Sequence, residues 1–375
     1  MKLKLKFAAL WFLALPVFAE PLVYEGSHGP GKGKHIVFIA NDHEYRSEQT
    51  CPLMAKIMAK HFGFKCTVLF GIDGKGHIKA GANNLPGLEA LQEADLLFFF
   101  TRFMNLPDAQ VKHLVDYFER GGPVVGLRTS THCFNGQKGI WGKLNYNYSG
   151  DDYKGGLGQQ IFGHTWKKIT GQSHYGSNHI MGSRITPVEG TKNHPILSGV
   201  EQIHAYSGAY ASPLPSDAIS ILEVQVLNTF HPGDDIHPEK PPVTAGWILH
   251  SYKAPSGKRK NARVVYTSYG ASEDLQGEDG RRFLVNACLW AGGWESSIRP
   301  DLPVSIVGKF QPSPYTSGLY YGGVDPKDLS GFESKIMPDG SELVGLDNPK
   351  FLNRVNRILA NRPRIREQLK NKIEN

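Results

Sequence analysis

The alternation of short apolar runs with amphipathic stretches in the first half of the chain constrains the fold most. Four runs are apolar enough to be strands buried on both faces: 35–40, 65–70, 95–101 and 123–127. Between them lie segments with helical patterning: 47–62, around 86–93 and 106–120. Fully apolar strands separated by helices indicate an α/β fold with a mostly parallel sheet and helices on both faces.

The second half of the chain departs from this rhythm. Residues 133–182 are dense in Gly, His, Tyr and Asn with little periodicity, which is typical of a long functional insertion. Three more strands and a helix follow: 219–227, 242–250, 262–269 and 277–293. We therefore predict one α/β domain over residues 34–297.

The C-terminal part lacks strand or helix patterning until its last segment. Residues 298–347 are rich in Pro and Gly, and we predict an irregular extension that wraps the domain. Residues 348–375 combine an apolar stripe with many basic side chains, which predicts an amphipathic helix beginning after a cap at Asn348.

The N-terminus has the order of a secretory signal. A basic "MKLKLK" precedes an apolar run and then small residues directly before Glu20, which predicts cleavage after Ala19. The apolar run is too short to span a bilayer comfortably. We therefore expect a signal peptide over 1–19, no membrane insertion, and a periplasmic or secreted mature protein.

The formal charge of +7 overstates how basic the folded body is. Three lysines leave with the predicted signal, and the last 350–375 stretch holds eight basic residues against two acidic ones. The remainder is slightly acidic, so nucleic-acid binding loses its main support.

The four cysteines fit no zinc or redox spacing. They are Cys51, Cys66, Cys133 and Cys288. We expect most of them to be small buried residues, and any disulfide pairing stays open because exported proteins can form disulfides.

Polar side chains follow four of the predicted strands. They come in "NDHEYRSE" after the first, "TR" after the third, "RTSTH" after the fourth and "GASEDL" after 262–269. Ligands of open parallel sheets bind beyond the carboxyl ends of the strands, so we predict a site there. The candidate proton carriers are Glu44, His132 and Glu273. The candidate substrate-binding residues are His43, Arg46, Arg102, Arg128, Thr129, Asp274 and, in the long insertion, His164.

The chemistry of these side chains supports the assignment. Arginines bind substrate oxygens through charge-assisted hydrogen bonds, and Glu or His can carry protons. We expect Glu44 within hydrogen-bonding reach of Arg128, Arg46 or His132. The alternative for the first loop is that Ser47 and Glu48 only cap the next helix.

The aromatic side chains of 141–153 leave two readings open. They are Trp141, Tyr146, Tyr148 and Tyr153, which either stack on sugar rings or pack the loop down.

The turn after the fourth strand argues against a covalent nucleophile. Hydrolases and amidotransferases seat their nucleophile at a sharp strand-to-helix turn, and here that place is taken by Arg128 in "GLRTSTHC". Cys133 lies several residues beyond with no partnered base evident, so we predict that it is not catalytic.

Several segments, in order, resemble the ThuA-like (trehalose utilisation) family over about residues 34–330. They are "NDHEYRSEQ", "VVGLRTSTH", "GGLGQQIFGHTW", "NHPIL" and "ARVVYTSYGASEDL" with "RRFLVNACLWAGG". The resemblance implies a flavodoxin-like, class I glutamine amidotransferase-like fold without a working Cys–His–Glu triad. It also implies a role in the breakdown of disaccharides or keto-sugars.

The resemblance also bears on cofactors. Some members have His-rich strand ends compatible with a divalent metal, whereas this chain carries Arg102 and Arg128 at two of those positions. We therefore predict no metal ligands and no cofactor.

Two functions fit these observations. The first is an enzyme that acts on a disaccharide or keto-sugar by acid–base chemistry, as a hydrolase or isomerase and not as a glutamine amidotransferase. The second is a non-catalytic carbohydrate-binding or scaffold domain of an exported complex. Homo-oligomerisation is left open.

Overall fold

The computed structural model describes residues 20–166, 173–175, 181–229, 231–315, 320–339, 341–344 and 353. Its strands are β1 (Leu22–Glu25), β2 (His35–Asn41), β3 (Lys65–Phe70), β4 (Leu96–Thr101), β5 (Val124–Leu127), β6 (Ser173–Tyr175), β7 (Ser183–Pro187), β8 (Ile203–Ala205), β9 (Ala209–Ala211), β10 (Ile219–Val226), β11 (Val243–Lys253), β12 (Arg259–Thr267), β13 (Tyr320–Gly322) and β14 (Glu342–Val344). Its α-helices are α1 (Ser47–Phe62), α2 (Asp108–Glu119), α3 (Gly156–Phe162) and α4 (Glu278–Ala291).

A ten-stranded sheet forms the centre, in the order β1-β3-β2-β4-β5-β12-β11-β10-β7-β8. The segment β3-β2-β4-β5-β12 is parallel throughout. Counted along the chain, these strands lie in the order second, first, third, fourth, fifth, which is the flavodoxin-like arrangement. The predicted α/β class is confirmed, and antiparallel strands extend this parallel centre on both sides.

Helices cover both faces of the sheet, as the apolar strands predict. Alternate residues of β2 point to opposite faces, so Phe38 joins one apolar cluster and Val37 the other. The first cluster includes side chains of α1 and α4, and the second includes side chains of α2 and α3. The parallel strands are therefore buried on both sides, and their carboxyl ends all meet at one edge of the sheet.

The structure adds elements that the sequence pattern did not predict. Strand β1 pairs antiparallel with β3, so the sheet begins before residue 34. The insertion at 133–182 contains a 3-10 helix at Gly139–Leu144 as well as α3. The predicted signal at 1–19 lies outside the described residues, and so does the predicted C-terminal helix apart from Asn353.

The extension after α4 makes several contacts with the domain, and we call residues 298–315 and 320–339 the strap. Side chains of the domain bind its backbone carbonyls with hydrogen bonds of 2.5 to 2.9 Å. The donors are Tyr24, Lys56, Arg281 and Arg282, and the acceptors are Leu329, Ser334, Val304 and Leu302 respectively. Near its middle, Tyr315 stacks on Tyr45 with ring centroids 5.2 Å apart. The strap thus reaches the loop that follows β2.

All four cysteines are free and buried, as small core residues are. Among the helices in the described part of the chain, none has the length and apolar character needed to cross a membrane.

Candidate functional site

The four loops that the sequence places at the strand ends are neighbours in space. The backbone amide of Arg102, after β4, donates to the carbonyl of Asn41 at the end of β2, at 3.1 Å. The amide of Phe103 donates to the carbonyl of His132 after β5, also at 3.1 Å. The amide of Ser272, after β12, donates to the carbonyl of Tyr45 at 3.3 Å.

Asp42 fixes the loop after β2 from inside. Its carboxylate accepts hydrogen bonds from the amides of Glu44, at 2.8 Å, and Tyr45, and from the hydroxyl of Thr129 at 2.6 Å. The Ser47 hydroxyl bonds the backbone of Asp42, at 2.8 and 3.1 Å, instead of capping α1. Ser47 is therefore not the helix cap. The Thr129 hydroxyl supports the loop, and its role in substrate binding stays a prediction.

Glu44, Arg102 and His43 form a contiguous polar group at this edge. A carboxylate oxygen of Glu44 lies 3.1 Å from Nη2 of Arg102, and their side chains are 13% and 19% exposed. The other terminal nitrogen of Arg102 donates to Nε2 of His43 at 2.5 Å. Because Arg only donates, Nε2 of His43 is the acceptor and its proton sits on Nδ1. Burial and the Arg102 charge lower the pKa of His43 to about 4, so the imidazole is neutral at neutral pH.

The partner of Glu44 therefore differs from the expected ones. Arg46 adopts a left-handed backbone with φ of 63° and pairs with Glu48 at 3.4 Å. The Arg46 and Glu48 side chains are each 1% exposed. Arg46 is thus a buried structural residue, and Arg102 is the cation of the site.

Arg128 occupies the sharp turn after β5 with a φ of 43°. Its buried guanidinium lies between the rings of Tyr45 and Tyr210, at 3.8 and 4.7 Å from their centroids. It donates to the Ser207 hydroxyl at 2.8 Å and to the carbonyls of Gly208 and Ser268 at 2.9 and 2.6 Å. These contacts hold the protein together, and a role of Arg128 in substrate binding stays a prediction.

The electrostatics of Arg128 agree with that structural role. Burial alone would lower its pKa, but the surrounding Tyr45, Tyr210 and Asp274 raise the pKa above the usual Arg value. The turn keeps the strained conformation of a nucleophile-bearing elbow while an always-charged side chain fills the position.

Asp274 supports Arg128 from the loop after β12. Its carboxylate accepts from the amides of Gly270, Ala271 and Ser207, each at 3.0 Å, and from the Ser207 hydroxyl at 2.5 Å. Its oxygens are thus engaged by the protein itself, and a substrate-binding role of Asp274 stays a prediction.

Its neighbour Glu273 is also buried, with only 3% of its surface exposed. Glu273 is therefore screened from solvent, unlike Glu44. Its role as a proton carrier stays a prediction.

His132 lies beside the polar group, and His164 does not. The His132 ring is 5.1 Å from each of the Phe103 and Trp166 rings, and burial followed by the Arg102 charge lowers its pKa well below the usual value. His164 contacts the Pro213 carbonyl and the Trp247 ring, which belongs to the apolar cluster on the α2–α3 face. His164 thus lies apart from the polar group, and its role in substrate binding stays a prediction.

Aromatic rings form the wall beside Glu44 and Arg102. The guanidinium of Arg102 lies 4.5 Å from the centroid of the Phe103 ring, which lies 5.1 Å from that of Tyr146. Trp166 and His174 continue the wall, with centroids 5.2 Å apart. All of these side chains are partly exposed. A half-exposed wall of rings beside charged groups suits a ligand with apolar faces and polar edges.

Two other rings of the aromatic segment pack the loop down. Tyr153 is buried and donates to the Lys253 carbonyl at 3.1 Å, while the Tyr148 hydroxyl donates to Asp152 at 2.9 Å. Tyr146 is therefore the aromatic residue of this segment that the structure places in the wall.

Backbone strain concentrates at the same edge. Among the described residues, four that are not glycine have a left-handed backbone, and three of them are Arg46, Phe103 and Arg128. Each such conformation costs on the order of 1–3 kcal/mol and persists only where the surroundings impose it. Strain clustered beside a partly open polar group favours a functional site at this edge.

The structure also bears on nucleophiles and metals. Cys133 is buried, and burial raises its pKa to about 12, so the thiol is a poor nucleophile at neutral pH. In the described part of the chain, no three His, Cys, Asp or Glu side chains are grouped so that they could hold a metal ion.

No protein-family model matches the chain, and no curated protein does. Among solved structures, the chain is similar to a protein named ThuA-like from Bacteroides uniformis ATCC 8492, with 15% identity, 75% of this chain and 100% of that chain covered, and a TM-score of 0.42. A second protein named ThuA-like, from Parabacteroides merdae ATCC 43184, has 14% identity, 76% and 96% coverage, and a TM-score of 0.34. The exo-beta-1,4-mannosidase Op5Man5 from Opitutaceae bacterium strain TAV5 has 10% identity, 70% and 35% coverage, and a TM-score of 0.29.

Proposed function

We propose that this chain is an exported ThuA-like protein that acts on a disaccharide or keto-sugar by acid–base chemistry, with Glu44 as proton carrier and no covalent nucleophile. The observation that carries the proposal is the group formed by Glu44, Arg102 and His43 at the carboxyl ends of the parallel strands. The order of the ThuA-like segments along the sequence supports the family and its carbohydrate substrates.

The chemistry of the edge suits a sugar. The faces of a sugar ring carry C–H groups that pack on aromatic rings, and its rim carries hydroxyls that exchange hydrogen bonds. Phe103, Tyr146 and Trp166 supply the rings, and Arg102 supplies the donors. Glu44 is a carboxylate in contact with solvent and able to accept a proton.

A second candidate function is a non-catalytic carbohydrate-binding domain. It is favoured by Arg128, which fills the place of a nucleophile with a side chain that cannot attack. In that case Glu44 and Arg102 would bind sugar hydroxyls and no bond would change.

The test is calorimetric titration of the wild-type protein with trehalose, maltose, sucrose and their 3-keto derivatives. Glu44→Gln keeps the size and a hydrogen-bonding oxygen but removes the charge. Glu295→Gln is a matched control, because Glu295, like Glu44, pairs with an arginine that lies beside an aromatic ring. Arg263 is 2.7 Å from Glu295 and 4.9 Å from the centroid of the Trp290 ring.

We expect at least one sugar to bind the wild type and the Glu295→Gln variant equally. Binding or turnover should fall about tenfold or more in Glu44→Gln, since a charge-assisted hydrogen bond contributes about 1.5–3 kcal/mol. Equal binding and turnover by all three proteins would contradict the proposed site. Binding that needs Glu44 without any turnover would select the second candidate.

A further inference from the structure

The described carboxylates near the strand ends are not equivalent. Asp42 and Asp274 are buried, and backbone amides and hydroxyls occupy their oxygens. Glu273 is buried as well. The undescribed stretches nearest to Trp166 and His174, residues 167–172 and 176–180, contain no Asp or Glu in the sequence. Glu44 is therefore the carboxylate of the group that it forms with Arg102 and His43, and it is partly exposed.

The presence of a single carboxylate in this group limits the kind of reaction that the group can catalyse. Hydrolysis of a glycosidic bond ordinarily uses two carboxyl groups on either side of the scissile bond, one of them protonated to serve as the acid. The imidazoles do not supply that acid, because burial and the Arg102 charge lower the pKa values of His43 and His132 below neutrality. Within the group formed by Glu44, Arg102 and His43, one carboxylate without a second carboxyl group does not suit glycoside hydrolysis.

The same group does suit proton abstraction next to a carbonyl. That reaction needs one base and one set of hydrogen-bond donors for the oxygen that becomes negative. A carboxylate beside a neutral imidazole donor is an arrangement that serves it elsewhere. Each terminal nitrogen of Arg102 carries two hydrogens, and the contacts with Glu44 and His43 use one on each. The second hydrogens, on the guanidinium that His43 helps to position, are donors beside Glu44.

We propose that Glu44 removes a proton from the carbon next to a carbonyl group of a sugar, and that Arg102 with His43 stabilises the enediolate. The inference rests on the proposed function and deepens it. The C–H bond breaks, its proton moves to a Glu44 oxygen, and its electron pair forms a C=C bond. The π electrons of the carbonyl bond move onto its oxygen, and Arg102 stabilises the negative charge that develops there.

Returning the proton to the same carbon restores the sugar. Returning it to the former carbonyl carbon gives an isomer, because the hydroxyl group on the first carbon then gives its proton to the other oxygen and becomes the new carbonyl. No oxidant, reductant or second reactant is needed. Because Glu44 is in contact with solvent, the proton it carries exchanges with water between the two steps.

Exchange with water gives the test. Wild-type protein is incubated with 3-keto-trehalose in D₂O, and loss of the C–H signals next to the carbonyl is followed by proton NMR. Trehalose, which has no carbonyl group, is the matched substrate control. We expect exchange about 100-fold or more above the buffer rate, as is typical of a positioned base. Exchange should fall to the buffer rate in Glu44→Gln and persist in Glu295→Gln.

The failures are distinguishable. If calorimetry shows binding that needs Glu44 but exchange stays at the buffer rate, the inference is overturned and carbohydrate binding stands. If Glu44→Gln exchanges as fast as the wild type, Glu44 is not the base. If neither binding nor exchange is found with 3-keto-trehalose, maltose, sucrose or 3-keto-sucrose, the proposed function and this inference both fail.

Discussion

Arg128→Met and Arg102→Met should separate two arginines that the sequence alone does not distinguish. Arg128 donates three hydrogen bonds of 2.6 to 2.9 Å and lies between two tyrosine rings. Its loss removes those three donors, at about 1–3 kcal/mol for each acceptor left unsatisfied, although the Gly208 carbonyl keeps a hydrogen bond of 3.4 Å from the Ser207 hydroxyl. It also removes both cation–π contacts, at about 1–2 kcal/mol each. Relief from burying a charge offsets part of this. We expect a net loss of about 4 kcal/mol in the free energy of unfolding.

Arg102 should behave in the opposite way. It is partly exposed and forms one ion pair with Glu44, and partly exposed pairs contribute about 1 kcal/mol or less. Arg102→Met should therefore fold almost normally and lose sugar binding.

Urea unfolding followed by circular dichroism measures the first quantity, and calorimetric titration measures the second. The assignment of roles is wrong if Arg128→Met unfolds within 1 kcal/mol of the wild type, or if Arg102→Met is the less stable variant.

Three further predictions follow from other parts of the fold. Burial lowers the pKa of His164 to about 4, so the stability that the neutral imidazole contributes is present above pH 6.5 and is lost as the pH falls towards 4. We expect the wild type to lose more stability between pH 7 and pH 5 than His164→Gln does, by up to about 2 kcal/mol, as measured by urea unfolding. Lys56→Met removes the donor that binds the strap at Ser334, so limited proteolysis should cut the strap faster. Lys112→Met, which removes a lysine paired with Asp116 within α2, should be cut at the wild-type rate, and equal cutting of both variants would contradict this anchor. Mass spectrometry of protein from its native host should find Glu20 at the N-terminus, and an intact Met1 would disprove export by signal cleavage.

The parallel centre of the sheet could be predicted because its strands are unambiguous. "HIVFIA" and "DLLFFFT" are apolar at consecutive positions, which only a strand buried on both faces explains well. Strand β1 was missed because it is four residues long, and its pattern of alternate burial is too short to recognise. The convergence of four loops at one edge also followed from the sequence, since parallel strands end on the same side.

The roles within the site could not be predicted in the same way. Arg46, Arg102 and Arg128 all follow strand ends, and local sequence does not say which side chain turns inward. Their backbone and partners decide it: Arg128 reaches Ser207, which lies far along the chain, whereas Arg102 contacts His43 and Glu44.

The wall of rings escaped prediction in part for the same reason. Phe103 follows Arg102 directly in the sequence, and this adjacency indicates that its ring lies near the polar group. The position of Tyr210 beside Arg128 could not be predicted either, because it depends on contacts between residues distant in sequence.

A crystal structure of the wild-type protein soaked with its tightest-binding sugar tests the central claim most directly. We predict electron density for the sugar against the Phe103 ring, with a Glu44 oxygen about 3 Å from the sugar and with Arg102 donating a hydrogen bond to a sugar oxygen. Density instead in the open groove of about 350 Å³ near α3, which is lined by Gln159, Asp217 and Arg259, with none beside Glu44, would contradict it.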